Sequence, residues 1–268
     1  MKKYTLVAVL MLQLTGLGVA AQVTNAFNLS VYSYAVFIRN GDTLHYRILT
    51  PLQNDRQRKY PLVIFLHGSA ERGNDNATQL LNGGYLFIKD AVRTAYPAYV
   101  VFPQLPTDST WAPRQISQDS AGHRIGFIFP DAGPTKVEQL LMLLKDSLVK
   151  AGTINSHRIY LGGLSLGGIG TYDLLARYPQ VWAAAFPICG AGNVAFAVKF
   201  KEVPLWIFHG EIDQRVPVSY SRSYYKTLQD LHAEVKYNEY PGVGHNCWIK
   251  AFAEPDLIPW LFSHQRTK

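Results

Sequence analysis

The sequence predicts an α/β fold: a mainly parallel central sheet with helices on both faces and an antiparallel hairpin at its N-terminal side. Three observations carry this expectation. Apolar runs of strand length alternate with stretches of helical period. The 268 residues are 48% hydrophobic and 17% charged, with 21 Gly and 15 Pro, which is a globular composition and excludes a disordered, collagen-like or coiled-coil chain. No internal repeat, low-complexity tract or Gly/Ser linker divides the chain, which argues for one domain over residues 22–268.

Residues 1–21 read as a secretory leader. Lys2 and Lys3 precede an apolar run at 6–14, and Val19 and Ala21 stand at the small positions before a cleavage site. The run is shorter than the ~20 residues that span a bilayer, so the expectation is an exported protein, periplasmic or secreted, with no stable membrane insertion after the leader is removed. The formal charge of +7 falls to +5 without Lys2 and Lys3. The longest basic cluster, Arg56, Arg58 and Lys59, reads as a solvated loop and not as a nucleic-acid face. Two cysteines, Cys189 and Cys247, are too few for a disulfide framework or a four-ligand zinc site. One bridge between them, or two buried thiols, both stay open, and no metal or organic cofactor is expected.

The elements follow in order. Residues 31–39 and 44–49 are strand-like and flank Asn40-Gly41-Asp42, a hairpin signal. Residues 61–66 are continuously apolar, as a strand buried on both faces should be, and 99–102, 158–161, 183–186 and 205–208 repeat the pattern. Val137, Leu140, Leu141, Leu144 and Leu148 recur at helical spacing after Pro134, with Gly152 as the stop. Helices are also expected at 166–177, 220–231 and 247–262, and a strand at 235–240. The polar stretch 105–129, with Pro106, Pro113 and Gly122, is expected to cover the cleft as a short lid. In such sheets ligands bind beyond the carboxyl ends of the strands, so the informative residues lie just after each apolar run.

Gly163-Leu164-Ser165-Leu166-Gly167 lies between an expected strand and an expected helix. A serine there is held on a strained turn with its Oγ exposed, which marks Ser165 as the candidate nucleophile and the Leu166 N–H as an oxyanion donor. Serine needs a base, and the order on such a turn is Ser, acid, His. His245, on a loop after 235–240, is the candidate base, whereas His209 ends a strand and reads as packed. Asp213, after 205–208, is the candidate acid, with Glu211 as fallback. The second oxyanion donor is expected after 61–66, where Gly68 permits close approach and the Ser69 N–H is preferred over that of Ala70. His67 reads as a brace of that loop. His67, Gly68, Trp111 and Trp248 are the candidate pocket residues.

The set His67-Gly68, Gly163 to Gly168, His209 to Asp213 and Gly244-His245 resembles the α/β-hydrolase superfamily. Leu66 to Asn76, Phe102-Pro103-Gln104, Trp111 and Pro187 to Gly190 further resemble secreted bacterial esterases of the phospholipase/carboxylesterase or predicted-peptidase type, related to poly(3-hydroxybutyrate) depolymerases and feruloyl esterases. The resemblance runs from about residue 61 to the C-terminus, with Ser69 where Ala is usual and Leu105 where Cys often follows Pro-Gln. It implies the α/β-hydrolase fold and a serine esterase acting on short acyl or carbohydrate-linked aryl or acetyl esters, small or attached to polysaccharide. Two other readings stand beside it: a serine peptidase of the prolyl-oligopeptidase type, and a non-catalytic glycan-binding protein of hydrolase fold.

Overall fold

A computed structural model describes residues 28–267; the expected leader at 1–21 lies outside the described residues. Among the described residues there are ten strands: β1 (Ser33–Arg39), β2 (Asp42–Leu49), β3 (Tyr60–Leu66), β4 (Tyr99–Pro103), β5 (Gln115–Gln118), β6 (Arg124–Ile128), β7 (Ile154–Leu164), β8 (Ala184–Ile188), β9 (Leu205–Gly210) and β10 (Val235–Tyr240). The α-helices are α1 (Asp90–Ala95), α2 (Lys136–Lys150), α3 (Leu166–Arg177), α4 (Ser219–Asp230), α5 (Trp248–Ala251) and α6 (Leu257–Ser263). Among the described residues no helix is long and apolar enough to cross a membrane.

Eight strands form one sheet in the order β1-β2-β4-β3-β7-β8-β9-β10. The β1-β2 hairpin turns at Asn40 and Gly41, both at positive φ, and β2 pairs antiparallel with β4. From β4 to β10 every pairing is parallel. The alternation read from sequence is therefore the observed architecture. In β3 all seven residues are buried, and the pleat sends Leu62, Ile64 and Leu66 to one core and Val63 and Phe65 to the other. The first core is closed by α2, α3 and α4, the second by α6 and the Leu80 to Phe87 turns. A capping box starts α2: Glu138 N–H donates to Thr135 Oγ1 at 3.1 Å, and Thr135 N–H to Glu138 Oε2 at 2.7 Å.

Two expectations change. The helix expected at 247–262 is broken into α5 and α6, because Pro255 lacks an N–H and pushes Glu254 out of helical conformation. The segment 105–129 is no loose cover. Leu105, Trp111 and Ala112 are buried in the first core, and β5 and β6 form a hairpin held by Tyr220. The Tyr220 hydroxyl accepts from Phe127 N–H at 2.8 Å and donates to Phe127 O at 3.0 Å. Anchored near both ends, the segment contributes Arg114 and Phe127 to the lining of the cleft.

Candidate active site

Ser165 sits between β7 and α3 at φ +53°, a conformation that non-glycine residues rarely adopt. The turn exists because its neighbours lack side chains. A Cβ on Gly163 would lie 2.4 Å from Gly167 O, and one on Gly167 would lie 2.0 Å from Leu66 O. Backbone bonds hold the strained residue: Ser165 N–H donates to Ile188 O at 2.9 Å, and Ser165 O accepts from Ile169 N–H at 3.0 Å. Leu166 opens α3, where first-turn N–H groups have no intrahelical partner.

Ser165 Oγ lies 2.7 Å from His245 Nε2, and His245 Nδ1 lies 2.7 Å from Asp213 Oδ2. A carboxylate only accepts, so Nδ1 carries the proton and Nε2 presents its lone pair to the serine hydroxyl. Asp213 Oδ1 accepts from the N–H groups of Arg215 (2.8 Å) and Val216 (3.0 Å). Burial works to raise the Asp213 carboxyl, but hydrogen bonds from His209, His245 and the Val216 N–H outweigh it and hold the group well below the usual carboxylate range. Glu211 is engaged elsewhere: its Oε2 accepts from Gly242 N–H at 2.8 Å and fastens the turn ahead of the His245 loop.

His209 is wholly buried, with Nε2 donating to Val216 O at 2.9 Å and Nδ1 accepting from the Ser221 hydroxyl at 2.7 Å. His67 is likewise a brace. Its Nδ1 donates to Gly68 O at 2.6 Å, its Nε2 accepts from Leu105 N–H at 2.9 Å, and burial lowers its pKa to about 4. Trp111 Nε1 donates to His67 O at 3.0 Å. Both side chains have 0% exposure, so His67 and Trp111, expected in the pocket wall, lie beneath the cleft and stiffen its floor. Gly68 and the half-buried Trp248 do line the cleft, the Trp248 ring standing perpendicular to that of His245 at 5.6 Å between centroids.

The cleft has two lobes that share Ser69, Ser165, Arg215 and His245. The smaller, about 80 Å³, is walled by Arg114, Phe127, Leu166, Ile169 and Val216. The larger, about 440 Å³, is walled by residues 68–71, Asn82, Leu164, Asn246 and Trp248. Arg114, Phe127, Asn82 and Arg215 went unread in the sequence. Only Arg215, two residues past Asp213, carried a local signal; the others come from segments that only folding brings to the sheet edge.

Cys189 and Cys247 are both buried as free thiols, and burial pushes the Cys189 thiol up. The two-thiol alternative, and not the bridge, is what the structure contains. Cys189, Asp213 and His245 form a trio of metal-ligand types within 4.8 Å of one another, but Asp213 and His245 are already hydrogen-bonded to each other.

Residues 123–254 match the Phospholipase/Carboxylesterase family model. The chain is 24% identical over 220 residues to a putative esterase, YitV, of Bacillus subtilis (strain 168), across 68% of this chain and 80% of that one. A solved thermostable esterase superposes with a TM-score of 0.80 at 32% identity, covering 89% of this chain; the chain spans 64% of that structure. A ferulic acid esterase shares the fold alone, with a TM-score of 0.63 at 13% identity over 86% of this chain and 97% of that one. With the sheet order and the serine turn described above, these likenesses show the α/β-hydrolase fold and support a hydrolase similar to esterases.

Proposed function

We propose that the protein is an exported, single-domain serine carboxylesterase in which Ser165, His245 and Asp213 are nucleophile, base and orienting acid. The observation that carries this reading is the unbroken line from Ser165 Oγ through His245 to Asp213, with both links at 2.7 Å. Ser165 Oγ bonds to the ester carbonyl carbon as its proton passes to His245 Nε2. The carbonyl oxygen becomes an oxyanion that accepts from the N–H groups of Leu166 and Ser69. Collapse breaks the bond to the alcohol oxygen, which leaves with the proton from His245. Water then attacks the acyl-serine by the same route and frees the acid. Substrates are carboxylic esters of short acyl groups or esters attached to carbohydrate.

The test is turnover on acetyl, butyryl, octanoyl and feruloyl esters with a peptide amide included. Ester hydrolysis that falls about 10⁴-fold or more in a folded Ser165→Ala variant supports the reading. Activity within tenfold of wild type in that variant, or cleavage of the amide alone, rejects it. N-terminal sequencing of protein recovered outside the cytoplasm tests export, for which a start at Gln22 is expected.

A further inference from the structure

The cleft carries more positive charge than ester cleavage requires. An ester is neutral, and its oxyanion is provided for by backbone N–H groups. Yet Arg215 borders both lobes, Arg114 borders the smaller one with its guanidinium 5.3 Å from the Phe127 ring centre, and Arg72 flanks the Ser69 loop, donating to Ser69 O at 3.1 Å. Two arginines elsewhere are neutralised by carboxylates: Arg177 is paired with Asp173, and Arg222 Nε with Glu239 Oε2 at 2.9 Å. Arg215 differs. Its main chain is anchored by the N–H bond to Asp213, while its side chain is exposed and has no hydrogen bond or ion pair among the described residues. Of the residues that line the two lobes, only Glu71 carries a carboxyl group. Glu71 is turned inward with Oε1 taken by Asn82, burial pushes its carboxyl toward the neutral form, and Asp213 is behind His245.

We propose that Arg215 is a specificity-determining residue that selects esters whose acyl part ends in a carboxylate, the short hemiesters of dicarboxylic acids, bound in the smaller lobe. The inference rests on the serine-esterase reading above. Two arginines, Arg114 and Arg215, line that lobe, and one, Arg215, lines the larger. A planar guanidinium fork matches a carboxylate with two parallel N–H···O bonds, and a positive cleft concentrates anionic substrate. Phe127, Ile169 and Val216 supply apolar walls for the intervening methylenes, and the lobe's volume of about 80 Å³ suits a short chain. Asn246 and Trp248 follow directly on His245, which returns the proton to the leaving oxygen, so the larger lobe takes the alcohol part.

The experiment compares kcat/KM for ethyl hydrogen succinate with that for ethyl levulinate, its uncharged counterpart of matching shape. The second pair, 3-acetoxypropanoate and 4-acetoxy-2-butanone, carries the same difference on the alcohol side. The expected result is a preference for the succinate hemiester of about tenfold over the levulinate ester, shrinking in about 0.5 M salt. Arg215→Gln should lower that ratio about tenfold, and Arg215→Lys should retain part of it. The ratio is the readout because a disturbed Asp213 loop would slow both esters together. A wild-type ratio of one or below, or a ratio untouched by Arg215→Gln, overturns the proposal. A preference confined to the alcohol-side pair overturns its placement in the smaller lobe. If a folded enzyme cleaves none of the four esters, nor any of the simple esters named above, the esterase reading itself falls and this inference with it.

Discussion

The loop after β3 and the loop after β9 each bring one buried carboxyl to the edge of the same cleft, and the two are driven in opposite directions. Glu71 has 4% exposure and Asp213 has 7%. Glu71 receives one side-chain donor, from Asn82, and its Oε2 has no hydrogen-bond partner, so burial dominates and its pKa is raised. Asp213 receives the N–H groups of Arg215 and Val216 and the Nδ1 proton of His245, with His209 Nε2 3.3 Å away, and its pKa is lowered. At nearly equal depth, the supply of donors decides the direction in which each carboxyl is driven. The carboxyl that is driven down touches the imidazole, and the one that is driven up belongs to the Ser69–Glu71 turn after β3.

That contrast is open to attack, most directly at its charged side. Asp213→Asn removes the charge and lets the amide N–H donate to Nδ1, which moves the imidazole proton to Nε2 and spoils the base. A loss of about 10⁴-fold in kcat is expected. Glu211→Gln, which touches only the Gly242 turn, should cost less than about tenfold. Comparable losses from both variants would mean that the acid had been misassigned.

The histidines sharpen the comparison in stability. His67 has a folded pKa lowered to about 4 against about 6.5 when unfolded, so only the unfolded chain takes up its proton between those values. Stability should therefore fall as pH drops from about 6.5 to about 4, by on the order of 3 kcal/mol from this group, and level off below. Urea unfolding of wild type and His67→Gln across that window checks it. The variant's slope should be shallower, and equal slopes would place the acid sensitivity elsewhere.

The smallest effect belongs to Glu71. Because its folded pKa is raised, its contribution to stability is full at low pH and is lost as pH rises through the folded value. Glu71→Gln keeps the shape without the ionisation. The melting temperature of the variant relative to wild type should rise between pH 4 and pH 8, on the order of 2 °C. Activity at neutral pH should change less than about tenfold, and a loss approaching that of Asp213→Asn would show that the Glu71 charge is needed.

Much of this was legible before folding. Strand β3 announced itself as the continuous apolar run 61–66, and the serine turn was readable because a strained residue packed against Leu66 needs glycine at Gly163 and Gly167. His245 and Asp213 were readable by their order and their places after strands. Trp111 was misjudged because an indole in a polar stretch gives no sign of which core will take it. The break at Pro255 was present in the sequence but masked by the apolar residues around it.

The sequence by itself determined the strand and helix order, the serine turn and the order of the three candidate residues, because each depends on periodicity or on a backbone conformation that only certain residues permit. Tertiary structure alone decided which acid meets His245, that His67 and Trp111 lie under the cleft, that Cys189 and Cys247 are buried as thiols, and that Arg114 and Arg215, far apart in sequence, line one lobe. Those outcomes depend on distances between segments far apart in sequence, and on which donors remain when the backbone has taken its share. No local pattern encodes them.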